Sequence, residues 1–304
     1  MSELAEPRLA LTIGPVMYYW SRQDLGTFYE QIAESPADSV VLGEVVCSRR
    51  HEMKPSDWIS LAQALAQAGK EVILATQILM ESEAELRTMQ RLVEQDEFLV
   101  EAGDASALNW LQQRQLPFVL GPHINVYNAP ALQEYRRMGA VRWVAPVELS
   151  LDAIAKVHAD EAGMPTEVFA FGRMPLAFSA RCFTARHHHL SKDRCEFICR
   201  QDPDGLLLST SDQQPFLALN GIQIQSAAQQ CLLGEAEAIR AAGISRVRLS
   251  PSSRQFAEIV QAFDDVMNHG APAQAALEGL QPGSLAGGFV NGYANSQAGL
   301  VWEA

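Results

Sequence analysis

Eight short apolar runs rich in β-branched residues, separated by segments of helical period, constrain this chain more than any other feature. They lie at 9–16 (LALTIGPV), 39–46 (SVVLGEVV), 71–79 (EVILATQIL), 97–103 (EFLVEAG), 117–127 (PFVLGPHINVY), 141–149 (VRWVAPVEL), 167–179 (EVFAFGRMPLAFS) and 246–252 (RVRLSPS). Between most of them run amphipathic stretches such as DLGTFYEQIAES, PSDWISLAQALAQAGK, SEAELRTMQRLVEQ and SLDAIAKVHADEAG. Several begin on Ser, Asp or Pro and end on Gly, the residues that start and stop helices. Near-continuous apolar strands alternating with helices mean a parallel sheet buried on both faces. Eight such units favour a (β/α)8 TIM-barrel-like fold over an open doubly wound sheet, and there is no GxGxxG or P-loop to suggest a nucleotide-binding fold.

The unit before the last strand is irregular. A cysteine-bearing segment, SARCFTARHHHLSKDRCEFICR, precedes DPDGLLLSTSDQQPFLALNGIQIQS, whose turn residues between apolar runs predict a small hairpin insertion. The expected organisation is a single barrel-like domain over 1–304. Within it, 180–226 form the cysteine-bearing insertion and 270–304 a glycine-containing tail at the rim or an interface.

Size and charge narrow the function. With 304 residues, 48% of them hydrophobic, the chain can bury a sizeable core, and no apolar run approaches the ~18 residues of a membrane span. A formal net charge of −13 argues against a nucleic-acid surface, and the one basic cluster, Arg49, Arg50, His51 and Lys54, is too short to reverse it. In MSELAEPRLALTIGPVMYYW no apolar stretch follows a basic one, so a cytoplasmic, reducing location is expected, where disulfides are rare.

Four of the five cysteines then stand out. Cys182, Cys195 and Cys199 form a C-x₁₂-C-x₃-C run, and Cys47 lies far upstream in GEVVCSRRHEMK. Cys47 follows the second strand and Cys182 the seventh, so a barrel brings both to the C-terminal rim, where such folds build their sites. Four thiolates suit tetrahedral zinc or an iron–sulfur cluster. Zinc sites usually carry close ligand pairs at both ends, whereas Cys47 and Cys182 each stand alone, which leans toward iron and sulfur. The plainer alternative is four unlinked buried thiols. Cys231, on a helical pattern, reads as an ordinary buried thiol.

The segments GEVVCSRRHEMK, NVYNAPALQEYRRMGAVRWVAPVELS, EVFAFGRMPLAFSARCFTARHH, KDRCEFICR and NGYANSQAG resemble the ubiquinone-biosynthesis (UbiV, YhbV-like) branch of the collagenase-like peptidase superfamily, over nearly the whole chain. The resemblance implies that Cys47, Cys182, Cys195 and Cys199 ligate a [4Fe–4S] cluster. It implies a heterodimer with a UbiU-like paralogue, a UbiT-like lipid carrier as a further partner, and dioxygen-independent hydroxylation of the aromatic ring of ubiquinone precursors, with prephenate as candidate oxygen donor. A cluster-bearing subunit that only supports its partner is the alternative. Peptidase activity is the other, but neither HExxH nor GxSxG is present.

A dicarboxylate donor calls for planar, bidentate cations, which makes Arg49, Arg50, Arg173 and Arg181 candidate binding residues. Arg173 is the most telling, because a charge inside an apolar strand needs a partner, either a bound anion or a residue such as Glu148. Glu44 and Glu148 are candidate acid/base groups. Asn125, Tyr127 and Asn128 end the fifth strand segment, where they could line a substrate pocket or form a turn and helix cap. His187, His188 and His189 read as a polar surface loop.

Overall fold

All eight apolar runs become the strands of a closed parallel barrel. The computed structural model describes residues 7–160 and 163–303. Residues 1–6 of the N-terminal stretch, Glu161 and Ala162 of the sixth helical segment, and Ala304 of the tail lie outside the described residues. The barrel strands are β1 (Ala10–Ile13), β2 (Ser39–Leu42), β3 (Glu71–Ala75), β4 (Leu99–Ala102), β5 (Phe118–Leu120), β6 (Ala140–Val144) and β7 (Thr166–Phe178), followed by three inserted strands, β8 (Leu206–Ser209), β9 (Pro215–Asn220) and β10 (Gln223–Cys231), and then β11 (Arg246–Leu249). Each of β1 to β6 pairs in parallel with the next, and β11 closes the ring by pairing in parallel with both β1 and β7.

Helices α1 (Arg22–Glu34), α2 (Pro55–Gln67), α3 (Glu83–Val93), α4 (Ala105–Gln113), α5 (Ala129–Arg137) and α6 (Leu151–Asp160) return between successive strands. Their starts follow local chemistry: Ser21, Ser82, Asp104 and Asn128 each accept a backbone N–H of the first turn, and Pro55 opens α2. Alternate strand residues such as Leu11, Val40, Val72 and Val247 face these helices and join Phe28, Leu65 and Ile154 in one apolar layer.

The opposite alternation fills the barrel with charge as well as with Val41, Ile73 and Val119. Arg248 on β11 reaches across the ring to Glu101 on β4, with N···O distances of 2.9 and 2.5 Å, and its Nε donates to Glu167 on β7 at 2.5 Å. Nearer the N-terminal end, Arg142 and Arg246 both engage Glu71, at 2.7 and 3.1 Å. Barrel interiors usually hold branched aliphatic side chains. Here one group pairs one arginine with two glutamates and the other two arginines with one glutamate, so the charges balance over the two groups together.

Beyond Phe171, β7 leaves the barrel and pairs antiparallel with β10, which continues to β9 and β8. This is the hairpin insertion, extended to Cys231 by β10. Between β7 and β8 lies α7 (Phe183–His187), and after the insertion come α8 (Ala236–Ala241), α9 (Phe256–His269), α10 (Ala273–Leu280) and a short β12 (Phe289–Val290) that pairs with β10. No helix among the described residues is long and apolar enough to cross a membrane.

Candidate thiol site at the barrel rim

Cys47 is set by a tight turn after β2. Gly43 begins it at φ +145°, where a Cβ would lie 2.6 Å from the Ala75 carbonyl oxygen, so only glycine lets the chain leave the sheet here. One oxygen of Glu44 accepts the N–H groups of Val46 and Cys47, both at 3.0 Å, and lies 3.7 Å from Arg50 Nη1. Arg50, only 3% exposed, donates to the Met17 carbonyl at 2.9 Å and to Asn220 Oδ1 at 2.7 Å. The Tyr19 ring is flanked by Arg50 and Arg200, at 5.6 and 4.6 Å from its centroid.

The other three cysteines arrive on the far side. Cys182 caps α7, its sulfur accepting from the Ala185 N–H at 3.4 Å. Cys195 and Cys199 end and occupy two successive 3₁₀ turns, with Phe197 between them in the left-handed region at φ 54°. The Asn220–Gly221 tip between β9 and β10 joins both halves. Gly221 O accepts from Phe183 N at 2.8 Å, Gly221 N donates to Thr184 Oγ1 at 2.9 Å, and Asn220 holds Arg50.

Cys47, Cys182, Cys195 and Cys199 thereby line one small cavity, together with Arg50, Thr184 and Gly221. All are free thiols. Among the described residues no group of three or more His, Cys, Asp or Glu side chains could hold a metal ion as it stands, so the thiols ring the cavity without closing on one point. Burial pushes the Cys47, Cys182 and Cys199 thiols up, while Arg50 draws Cys47 and Cys199 part of the way back. Burial outweighs the nearby cations, so a metal arriving here displaces protons from these sulfurs.

Beside it, over the C-terminal strand ends, lies a cleft of about 460 Å³ lined by His123, Asn125, Glu148, Phe169, Phe178 and Tyr293. A narrower pocket of about 40 Å³ continues inward from His123 and Phe169 to Arg173, Arg248 and Glu101. Arg173 is 4% exposed; its Nε donates to Ala227 O at 3.2 Å and its Nη1 to Asp204 O. The pairing of Arg173 with Glu148 considered from sequence does not occur: Glu148 instead accepts from the Tyr127 hydroxyl, whose pKa burial and this carboxylate push up to about 12. Among the described residues Arg173 has no carboxylate within salt-bridge distance.

The remaining candidates are spread. Arg49 lies at the edge of the thiol cavity and bonds Asp193, Arg181 is exposed and lines neither cavity, and Asn128 caps α5. His187, His188 and His189 are exposed. Sequence reasoning missed His123, which burial and Arg248 lower to about 3 and which stacks edge-on to Phe178 at 4.9 Å. It foresaw the hairpin from its turn residues but not that the Asn220–Gly221 tip would hold both thiol-bearing segments.

A protein named collagenase from Porphyromonas gingivalis is 29% identical over 113 residues, a match covering 33% of this chain and 27% of that protein. Among solved structures, a truncated 3-deoxy-D-arabino-heptulosonate 7-phosphate synthase from Thermotoga maritima overlaps 86% of this chain and 87% of its own at 10% identity and a TM-score of 0.45. Dihydropteroate synthase from Stenotrophomonas maltophilia overlaps 87% and 94% at 13% identity and a TM-score of 0.43. The profile of peptidase family U32 matches residues 27–297, which takes in all four rim cysteines and nearly the whole barrel, and this chain belongs to that family.

Proposed function

We propose that the chain is the iron–sulfur subunit of a UbiU–UbiV-type complex that hydroxylates the aromatic ring of ubiquinone precursors without dioxygen. The observation that carries this reading is the convergence of Cys47 with Cys182, Cys195 and Cys199 on one cavity at the barrel rim. Four cysteines from two distant parts of the chain are the donor set of a [4Fe–4S] cluster. When bound, such a cluster supplies one-electron chemistry that no side chain offers. Arg50 offsets part of the negative charge of the thiolates, and the turn held by Glu44 orients Cys47.

The adjacent cleft is the place for the ring, walled by Phe169, Phe178 and Tyr293. Arg173, buried and bonded to carbonyl groups, is placed to take a carboxylate of the oxygen donor, for which prephenate is the candidate. A UbiU-like paralogue completes the complex, a UbiT-like carrier brings the apolar substrate, and the complex works in the cytoplasm. The collagenase name of the relative favours a peptidase as second reading. That reading needs a nucleophile or a hydrolytic metal motif, and the chain carries neither GxSxG nor HExxH.

The test is anaerobic purification with the paralogue, followed by iron, sulfide and zinc analysis and visible absorbance. Iron and sulfide in equal amounts are expected, with a broad visible band. Stoichiometric zinc without sulfide sinks the redox reading. In a complex that assembles and retains iron, Arg173→Ala should abolish hydroxylation; normal turnover would remove Arg173 from substrate binding and favour a supporting role for this subunit.

A further inference from the structure

A further cavity lies between α2 and α3, beside the ends of β2 and β3, and has about 550 Å³, within the range of small-molecule sites. Its walls include Met53, Met80, Met89, Trp58 and Leu92. Trp58, Met89 and Leu92 are 7%, 3% and 8% exposed, so the floor is built from core side chains. Methionine walls adapt to apolar ligands of irregular shape, because the thioether chain is unbranched and polarizable.

The edge of this cavity is charged in a lopsided way. Its two carboxylates are engaged: Glu85 accepts from Ser48 Oγ and from the Glu81 and Ser82 N–H groups, and Glu44 holds the Cys47 turn. Of its cations, Arg50 is engaged by Met17, Asn220 and Glu44, and the others are less so. Arg49 reaches Asp193 alone, its carbonyl oxygen at 3.1 Å and its 93% exposed carboxylate at 3.5 Å, and its Nε is buried with no hydrogen-bond partner. His51 and Lys54 also line the cavity, and among the described residues neither is in a salt bridge. A buried donor without an acceptor in a native fold calls for a group to fill it.

We infer that this cavity is a binding site for an amphipathic organic anion, with an apolar body against Met53, Met80, Met89 and Trp58 and an acidic head at Arg49 and Lys54. The inference is independent of the hydroxylase reading. Arg49 lines both this cavity and the thiol cavity, so an occupied site would fix the Cys47 turn from its outer side.

Three methionines in the wall make the test direct. The full chain, purified anaerobically with methionine methyl groups labelled with carbon-13, is titrated with dodecyl phosphate and separately with dodecanol, both below micellar concentrations. Shifts of Met53, Met80 and Met89, assigned by single Met→Leu changes, are expected with both probes. Arg49→Ala and Lys54→Ala should each weaken dodecyl phosphate about tenfold, the loss of one charged hydrogen bond, and leave dodecanol unchanged. Thr88→Trp, which fills the groove from the exposed face of α3, should remove binding of both. If Met53, Met80 and Met89 do not move in the wild-type protein, or if Arg49→Ala and Lys54→Ala leave dodecyl phosphate binding intact, the site does not exist as stated. The wild-type spectra decide the matter even if a variant fails to fold.

Discussion

Cys231 has the same chemistry as the four rim cysteines and a different fate. It ends strand β10 and not the helix its pattern suggested, is 1% exposed within the apolar layer between strands and helices, and burial holds its pKa up at about 12. Alanine at Cys47, Cys182, Cys195 or Cys199 should each strip most of the iron from anaerobically purified protein, whereas Cys231→Ala should leave iron content unchanged and cost about 1 kcal/mol in urea denaturation. His123 makes a residue-scale prediction of another kind. Its pKa falls from an ordinary 6.5 to about 3 because burial and Arg248 disfavour the imidazolium. Between those values the unfolded chain binds a proton that the folded chain refuses, so this group lowers stability progressively as pH falls below 6.5 and has its full effect near 3. His123→Phe should therefore show a shallower loss of unfolding free energy than the wild type across about pH 6 to 4. Equal slopes would mean that the ring is solvated and titrates normally.

At the scale of elements, the eight barrel strands could be read from sequence because parallel strands buried on both faces are apolar almost without interruption. Their ends could not. The run 117–127 continues well past β5 (Phe118–Leu120), since Ile124 and Val126 pack inward where the rim folds over the strands. Charges inside the barrel were hidden for a related reason: Arg246 and Arg248 alternate with Val247 and Leu249 as a half-exposed strand would, yet the polar set faces the closed interior. The hairpin was foreseen as an insertion, and its role as a clasp was not, because the contacts of Gly221 join it to residues 37 and more positions away. Gly221 sits at φ +65°, and a Cβ there would come within 2.9 Å of Arg50 Nη2. Gly221→Ala should cost about 1–3 kcal/mol and loosen both thiol-bearing segments at once. Hydrogen exchange of the Cys47 turn and of α7 would register that coupled loosening; an effect confined to the hairpin would deny the clasp.

For the whole molecule, the central network is where stability is most exposed to a single change. Arg248→Met leaves Glu101 and Glu167 buried without their cation, and should destabilise the barrel by about 3–5 kcal/mol in urea unfolding. Replacing all three by apolar residues of similar volume should recover much of that loss, because the desolvation of the charges is removed together with their attraction. A loss no larger for the single change than for the triple one would place the network outside the closed core. The rim site has a different dependence on the whole chain, and it is one of time. Cys47 leaves the ribosome early, Cys199 follows some 150 residues later, and the hairpin tip that clasps them comes later still. At ordinary rates of synthesis the first thiol waits on the order of ten seconds for the last of its companions, and longer for β11 to close the ring. Through that interval Cys47 is without its three companions, so the order of synthesis, and not only the finished fold, decides when the four thiols can first meet.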